Sequence, residues 1–325
     1  MLLDILFIII GVALVLWGAD RLTEGASALA RRMNVPEIVI GLTIVAAGTS
    51  APELFVSLVS ALKGTPDLAV GNVVGSNTMN TLLIVGVTAM VAPMAISRST
   101  VKKDIPFTVL ASVLMVVACM DATMSLSISG HVISRLDGIL LLAGFAVFMG
   151  YTFNEARKGT SEPAGEAAPA DKQAKTVSAW LSVLYVAIGL ACLVAGSNLF
   201  VDSASSVAAS LGVSEGVIGL TIVAGGTSFP ELATSVVAAR KGQSALAIGN
   251  VIGSNVFNIL MIIGITAVVC PMQIQGITII DLSVMMISVL MLWAFSFTKF
   301  TVERWEGAVL SLFYAVYLGW LLYNV

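Results

Sequence analysis

The chain has 325 residues, 58% of them apolar and 11% charged, with a mean hydropathy of +1.00 and a formal net charge of -3. A soluble domain carries about a quarter charged residues, so this composition excludes one, and no nucleic-acid partner is expected. The apolar runs are about 16 to 30 residues long, which suits helices crossing ~30 Å of hydrocarbon, and the two-residue alternation of a membrane barrel is absent.

An all-α integral membrane protein with ten transmembrane helices is therefore predicted, at 2–19, 36–62, 68–92, 105–120, 136–153, 180–209, 215–239, 245–269, 282–297 and 307–322. The first carries Asp4 rather than Lys or Arg ahead of its apolar run, the wrong flank for a cleaved secretory signal, so it is expected to stay. Residues 154–178 contain Pro163, Pro169 and a mixture of Glu, Lys, Ala and Ser too polar to pack as a core, and read as a linker between 1–153 and 179–325. Each half is expected to begin with a small-residue helix, 18–30 and 196–208, where Gly, Ala and Ser permit close approach or sliding. Cys119, Cys192 and Cys270 sit in separate apolar segments without C-x-x-C spacing and read as small buried thiols. His131, alone in a polar connection, reads as a solvated loop residue.

Basic residues are distributed unevenly. The odd-numbered connections hold 14 of the 16 Lys and Arg, and the even-numbered ones only Lys63 and Arg135. The positive-inside bias then places both termini outside and the linker in the cytoplasm of a multi-pass plasma-membrane protein. Because five is odd, the second half enters from the opposite side, making the two halves inverted repeats.

The chain repeats itself at an offset of 178. Of the 42 residues in 39–80, 28 are identical in 217–258. The repeat contains Gly48-Thr49-Ser50-Ala51-Pro52-Glu53, matched by Gly226-Thr227-Ser228-Phe229-Pro230-Glu231. A carboxylate at membrane depth is costly, so carrying it twice points to use, and Glu53 and Glu231 read as one site. Pro52 and Pro230 lack an amide hydrogen and crowd the preceding turn, so both helices should open there and release carbonyl oxygens. With the hydroxyls of Thr49, Ser50, Thr227 and Ser228 this makes an all-oxygen set suited to a hard cation.

A second element runs Gly71-Asn72-Val73-Val74-Gly75-Ser76-Asn77-Thr78-Met79-Asn80 and recurs as Gly249-Asn250-Val251-Ile252-Gly253-Ser254-Asn255-Val256-Phe257-Asn258. Ser76 and Asn80 share a helix face, as do Ser254 and Asn258, and could complete the shell. Asn77 and Asn255 lie on another face and read as ordinary hydrogen-bonding groups between helices.

These two elements closely resemble the α-repeats of sodium/calcium exchangers in the cation/calcium antiporter superfamily, and the resemblance covers nearly the whole chain. It implies that Glu53 and Glu231 are shared cation carboxylates, Thr49 and Thr227 backbone and hydroxyl ligands, and Ser50 and Ser228 flanking sodium ligands. It further implies that Ala46 and Ala224 lend carbonyls and that Ser76, Asn80, Ser254 and Asn258 form the outer polar shell. The transported ions would be calcium and sodium, with no cofactor. Asn258 stands where the potassium-dependent members have Asp, which argues against potassium co-transport. The short linker leaves no room for the calcium-sensing domains of animal exchangers.

Three activities compete on the residues alone: sodium/calcium antiport, proton-coupled calcium antiport, and a membrane-embedded enzyme using the two carboxylates as acid and base. Near-symmetric motifs suit an ion cage better than divided acid and base roles, and inverted repeats suit alternating access better than a channel. The charge count yields a test of topology: single cysteines replacing Lys63 and Lys241 should label from opposite sides of the membrane, Lys63 from outside. Labelling of both from one side would remove the inverted arrangement.

Overall fold

The computed structural model describes residues 2–124, 131–158, 178–212, 224–274 and 276–323. The helices are α1 (Leu2–Met33), α2 (Glu37–Thr49), α3 (Ala51–Leu62), α4 (Pro66–Val91), α5 (Thr100–Met120) and α6 (Arg135–Lys158). They continue as α7 (Ala179–Ser210), α8 (Ala224–Thr227), α9 (Phe229–Arg240), α10 (Ser244–Val269), α11 (Ile279–Ser296) and α12 (Arg304–Tyr323). Among the described residues eight helices are long and apolar enough to span a membrane, or nine when the bent pair α2 and α3 counts as one span. Of the predicted span 215–239, residues 215–223 lie outside the described set, as does most of the predicted linker.

Two expectations change. The first helix does not stop at residue 19: α1 runs on for 32 residues, and the small-residue stretch 18–30 is its second half, as 196–208 is the second half of α7. The helix can continue past Asp20, Arg21 and Glu24 because these charges are met. Arg21 pairs with Asp20 and Glu24, and the Lys241 ammonium lies 2.7 Å from Asp20 Oδ1 and 2.9 Å from both the Asp20 carbonyl and the Thr23 hydroxyl. Short strands also appear where loops were expected. Strand β1 (Met94–Ala95) pairs antiparallel with β4 (Thr301–Val302), and β2 (His131–Ile133) with β3 (Met272–Ile274), so His131 belongs to a ribbon. Of the three thiols, Cys119 is buried, and Cys192 and Cys270 are half-buried.

The most extensive helix contact among the described residues joins α1 to α7. A Cβ added at Gly11 would meet the Gly196 carbonyl oxygen at 2.7 Å, one at Gly18 the Gly189 oxygen at 2.8 Å, and one at Gly25 the Ser182 oxygen at 2.7 Å. Numbers rise along one helix as they fall along the other, so the pair is antiparallel. Shifting by 178 turns Gly11 into Gly189 and Gly18 into Gly196, so each glycine meets the counterpart of the other. Such reciprocity is what a two-fold relation produces.

The same exchange recurs elsewhere. Gly86 of α4 packs on Gly307 of α12, and Gly264, its counterpart in α10, packs on Gly138 of α6. Met94 pairs with Val302, and its counterpart Met272 pairs with Ile133. The two motif-bearing segments are thereby held back to back, α2 against the first turns of α10 through Gly41 and Gly249.

Backbone contact across α1 and α7 leaves no room for a side chain, and overpacking costs about 1–3 kcal/mol. Gly18→Val and Gly189→Val are therefore expected to lower the melting temperature of the detergent-solubilised protein by several degrees. Gly150→Ala, where an added Cβ meets nothing within 4 Å, should leave it unchanged or slightly raised.

Candidate cation site

Helices α2 and α3 meet at 46°, and the break falls on Ser50. Its φ of -84° and ψ of 9° leave the helical region, and Pro52 then restarts the helix in the first turn of α3. Ser228, with φ -89° and ψ 6°, does the same between α8 and α9, followed by Pro230. Glu53 and Glu231 thus stand in the first turns of new helices, where exposed N–H groups and the helix dipole favour negative charge.

Each carboxylate is held by the other half of the chain. The Ser50 hydroxyl donates to Glu231 Oε1 at 3.1 Å, and the Ser228 hydroxyl to Glu53 Oε1 at 3.2 Å. Thr49 and Ser254 also lie against the Glu231 carboxyl, and Thr227 against that of Glu53. Both glutamates are 1% exposed, and Thr49, Ser50, Ser228, Ser76, Ser254, Asn80 and Asn258 are buried as well. Thr227 is half-buried.

Glu53 Oε2, Glu231 Oε2, Asn80 Oδ1 and Asn258 Oδ1 are among the buried side-chain oxygens that have no hydrogen-bond partner. An unpaired buried acceptor is costly and a charged one more so, and a bound cation is one way of satisfying the two carboxylate oxygens. Among the described residues no group of three or more His, Cys, Asp and Glu comes together to hold a metal. The donor set is two carboxylates with neutral oxygens, the chemistry of hard ions.

Asn80 and Asn258 are oriented by the other two asparagines. Asn80 Nδ2 donates to Asn255 Oδ1 at 3.1 Å, and Asn258 Nδ2 donates to Asn77 Oδ1 at 3.0 Å. Asn77 also donates to the Asn255 carbonyl, and Asn255 to the Thr81 hydroxyl, so these two tie α4 to α10 as expected. A widened π-helical turn starts at Asn80 and another at Phe257, where such turns redirect side chains.

The Ala46 oxygen accepts from Ser50 N–H at 2.9 Å and lies 3.4 Å from the Thr49 hydroxyl, and a carbonyl accepting one hydrogen bond keeps a second lone pair. The missing amide of a proline deprives the residue four before it, which is Gly48 for Pro52 and Gly226 for Pro230. The Gly226 oxygen is taken by the Ser197 hydroxyl, and the residue 178 positions before Ser197 is Ala19, which has no hydroxyl. Ala224 is the first residue of α8.

Four residues escaped the sequence reading. Asn72 Nδ2 donates to the Glu53 carbonyl at 3.2 Å and the Ser57 hydroxyl at 3.0 Å; Asn250 Nδ2 does the same to Glu231 and Ser235 at 3.3 and 3.0 Å. The signal was their identity across the 178-residue offset, polar residues kept in apolar segments.

The family model for the sodium/calcium exchanger protein matches residues 3–154 and 181–323. The chain belongs to the sodium/calcium exchanger family. Sodium/calcium exchanger MaX1 of Methanosarcina acetivorans is 32% identical over 98% of this chain and 99% of its own. Putative antiporter CaxA of Alkalimonas amylolytica is 37% identical over 83% of this chain and 82% of its own. The solved structure of the sodium-calcium exchanger NCX_Mj, soaked with sodium and calcium, matches with a TM-score of 0.81 at 28% identity, over 98% of each chain. This member of the exchanger family is a multi-pass membrane protein and a cation/calcium antiporter, which sets aside the enzyme reading.

Proposed function

We propose that the protein exchanges calcium for sodium by alternating access at a site built on Glu53 and Glu231. Thr49, Ser50, Thr227 and Ser228 supply hydroxyl or backbone oxygens, and Ser76, Asn80, Ser254 and Asn258 the outer shell. In this reading the chain forms ten helices in two inverted halves, 1–153 and 179–325. Both termini lie outside, and the linker 154–178 lies in the cytoplasm. The reciprocal packing and the antiparallel α1 and α7 support the inversion.

One observation carries the site. Both glutamates are 1% exposed and each is bound through one oxygen by the opposite half, while the other oxygen of each accepts no hydrogen bond. Two carboxylates at close quarters in a low-dielectric interior repel, and a single calcium ion carries the charge that balances them. Sodium ions engaging the same oxygens compete with it, and exchange follows from that competition. The neutral oxygens favour sodium over protons as the coupling ion, because hydroxyls and amides ligate sodium and do little to hold a proton.

Sodium-loaded liposomes containing the protein, diluted into sodium-free medium, are expected to accumulate calcium, and a proton gradient of similar size to support little uptake. Proton-driven uptake indifferent to sodium would replace sodium by proton coupling. Glu53→Gln and Glu231→Gln should each reduce calcium exchange on the order of a hundredfold or more, as expected for removing one partner of a buried charged group. The variant proteins should remain folded in the membrane. Near-normal exchange by either would remove the shared site. Asn258, being neutral, leaves uptake indifferent to potassium, which a potassium titration of the same assay reads directly.

A further inference from the structure

We infer that Asn250 is a positioning residue: it takes the hydroxyl proton of Thr49 so that the Thr49 oxygen can turn to a cation held by Glu231. The inference rests on the site proposed above and concerns a residue that the ligand set does not include.

The orientation of the Asn250 carboxamide follows from its partners. Its nitrogen lies 3.3 Å from the Glu231 backbone oxygen and 3.0 Å from the Ser235 hydroxyl. A carbonyl can only accept, so a flipped side chain would set oxygen against oxygen at Glu231. The amide nitrogen therefore faces its own half, and Oδ1 faces the other half, 3.2 Å from the Thr49 hydroxyl oxygen and 201 residues away in the chain. Asn72 is fixed in the same way by Glu53 and Ser57.

Thr49 has one proton to give. Within its own helix the Val45 and Ala46 carbonyls lie 3.1 and 3.4 Å away, the second already accepting from Ser50 N–H. The hydroxyl also lies against the Glu231 carboxyl. Donation to that carboxyl turns the proton towards the place a cation would take. Donation to Asn250 turns it away and leaves the oxygen lone pairs free for the cation. Asn250 is fully buried and bonded to the backbone of Glu231 itself, so it holds the acceptor at a fixed distance from the carboxylate it serves.

The test is a double-substitution cycle in sodium-driven calcium uptake, with half-saturating calcium and maximal rate measured separately. Asn250→Leu, close in volume, should raise half-saturating calcium by about fivefold to tenfold, the worth of one lost hydrogen bond, with maximal rate within about twofold. Thr49→Val, which also removes the ligand oxygen, should raise it at least as far, and the double variant should shift no further than Thr49→Val alone, because Asn250 acts through Thr49. Thr49→Ser, which keeps the hydroxyl, should recover most of the affinity.

An undiminished effect of Asn250→Leu in the Thr49→Val background would overturn the route through Thr49. A loss of maximal rate with half-saturation unchanged would overturn the inference, as would failure to recover either Asn250→Leu or Asn250→Ala as folded protein, since each assigns Asn250 to structure alone. Inactive Glu231→Gln beside an unaltered Asn250→Leu would reject this inference and leave the site standing. Active Glu231→Gln would reject both.

Discussion

A carboxylate in the interior of a membrane bundle must be met by donors or by charge, and each of the two glutamates here takes a hydroxyl donor from the other half of the chain. Glu53 accepts from Ser228 and Glu231 from Ser50, so the hydrogen bonding of each carboxylate needs both halves. Most of the surrounding structure answers that requirement. The helices break at the two serines so that hydroxyls reach across, the asparagines of α4 and α10 lock those helices together behind the break, and glycines remove the side chains that would hold the halves apart.

Much of this was legible in the sequence because the chain says it twice. The 178-residue offset singled out Glu53 and Glu231, Pro52 and Pro230 located the breaks, and the four-residue spacing of Ser76 and Asn80 put them on one face. What could not be read was pairing between segments. Asn72 and Asn250 belong to the same repeated elements, yet their role depends on a backbone oxygen 19 residues away and, for Asn250, on a hydroxyl in the other half. The end of α1 was misplaced because its charges are neutralised by a lysine 221 residues away from Asp20.

The two halves are similar but not equal, and their differences lie on the long helices. Lys241 grips α1 at Asp20, whereas position 198, the counterpart of Asp20 on α7, is an asparagine that offers Lys63 no charge. Ser197 caps the Gly226 oxygen, and Ala19 has no hydroxyl with which to cap Gly48. The α1 and α7 pair is therefore joined to the second motif by an ion pair and a hydroxyl for which the first half has no equivalent residues.

The seam between α1 and α7 has a further property, which comes from its spacing. Gly11, Gly18 and Gly25 recur every seven residues, as do Ser182, Gly189, Gly196 and Ser203 opposite them. A displacement of one heptad, about 10 Å at ~1.5 Å per residue, would set Gly18 against Gly196, Gly25 against Gly189 and Gly11 against Ser203. Small residues again face small residues in that position, while intermediate positions lose the match. The heptad spacing therefore makes the seam compatible with more than the one register the structure shows, at the cost of no added side chain between the backbones.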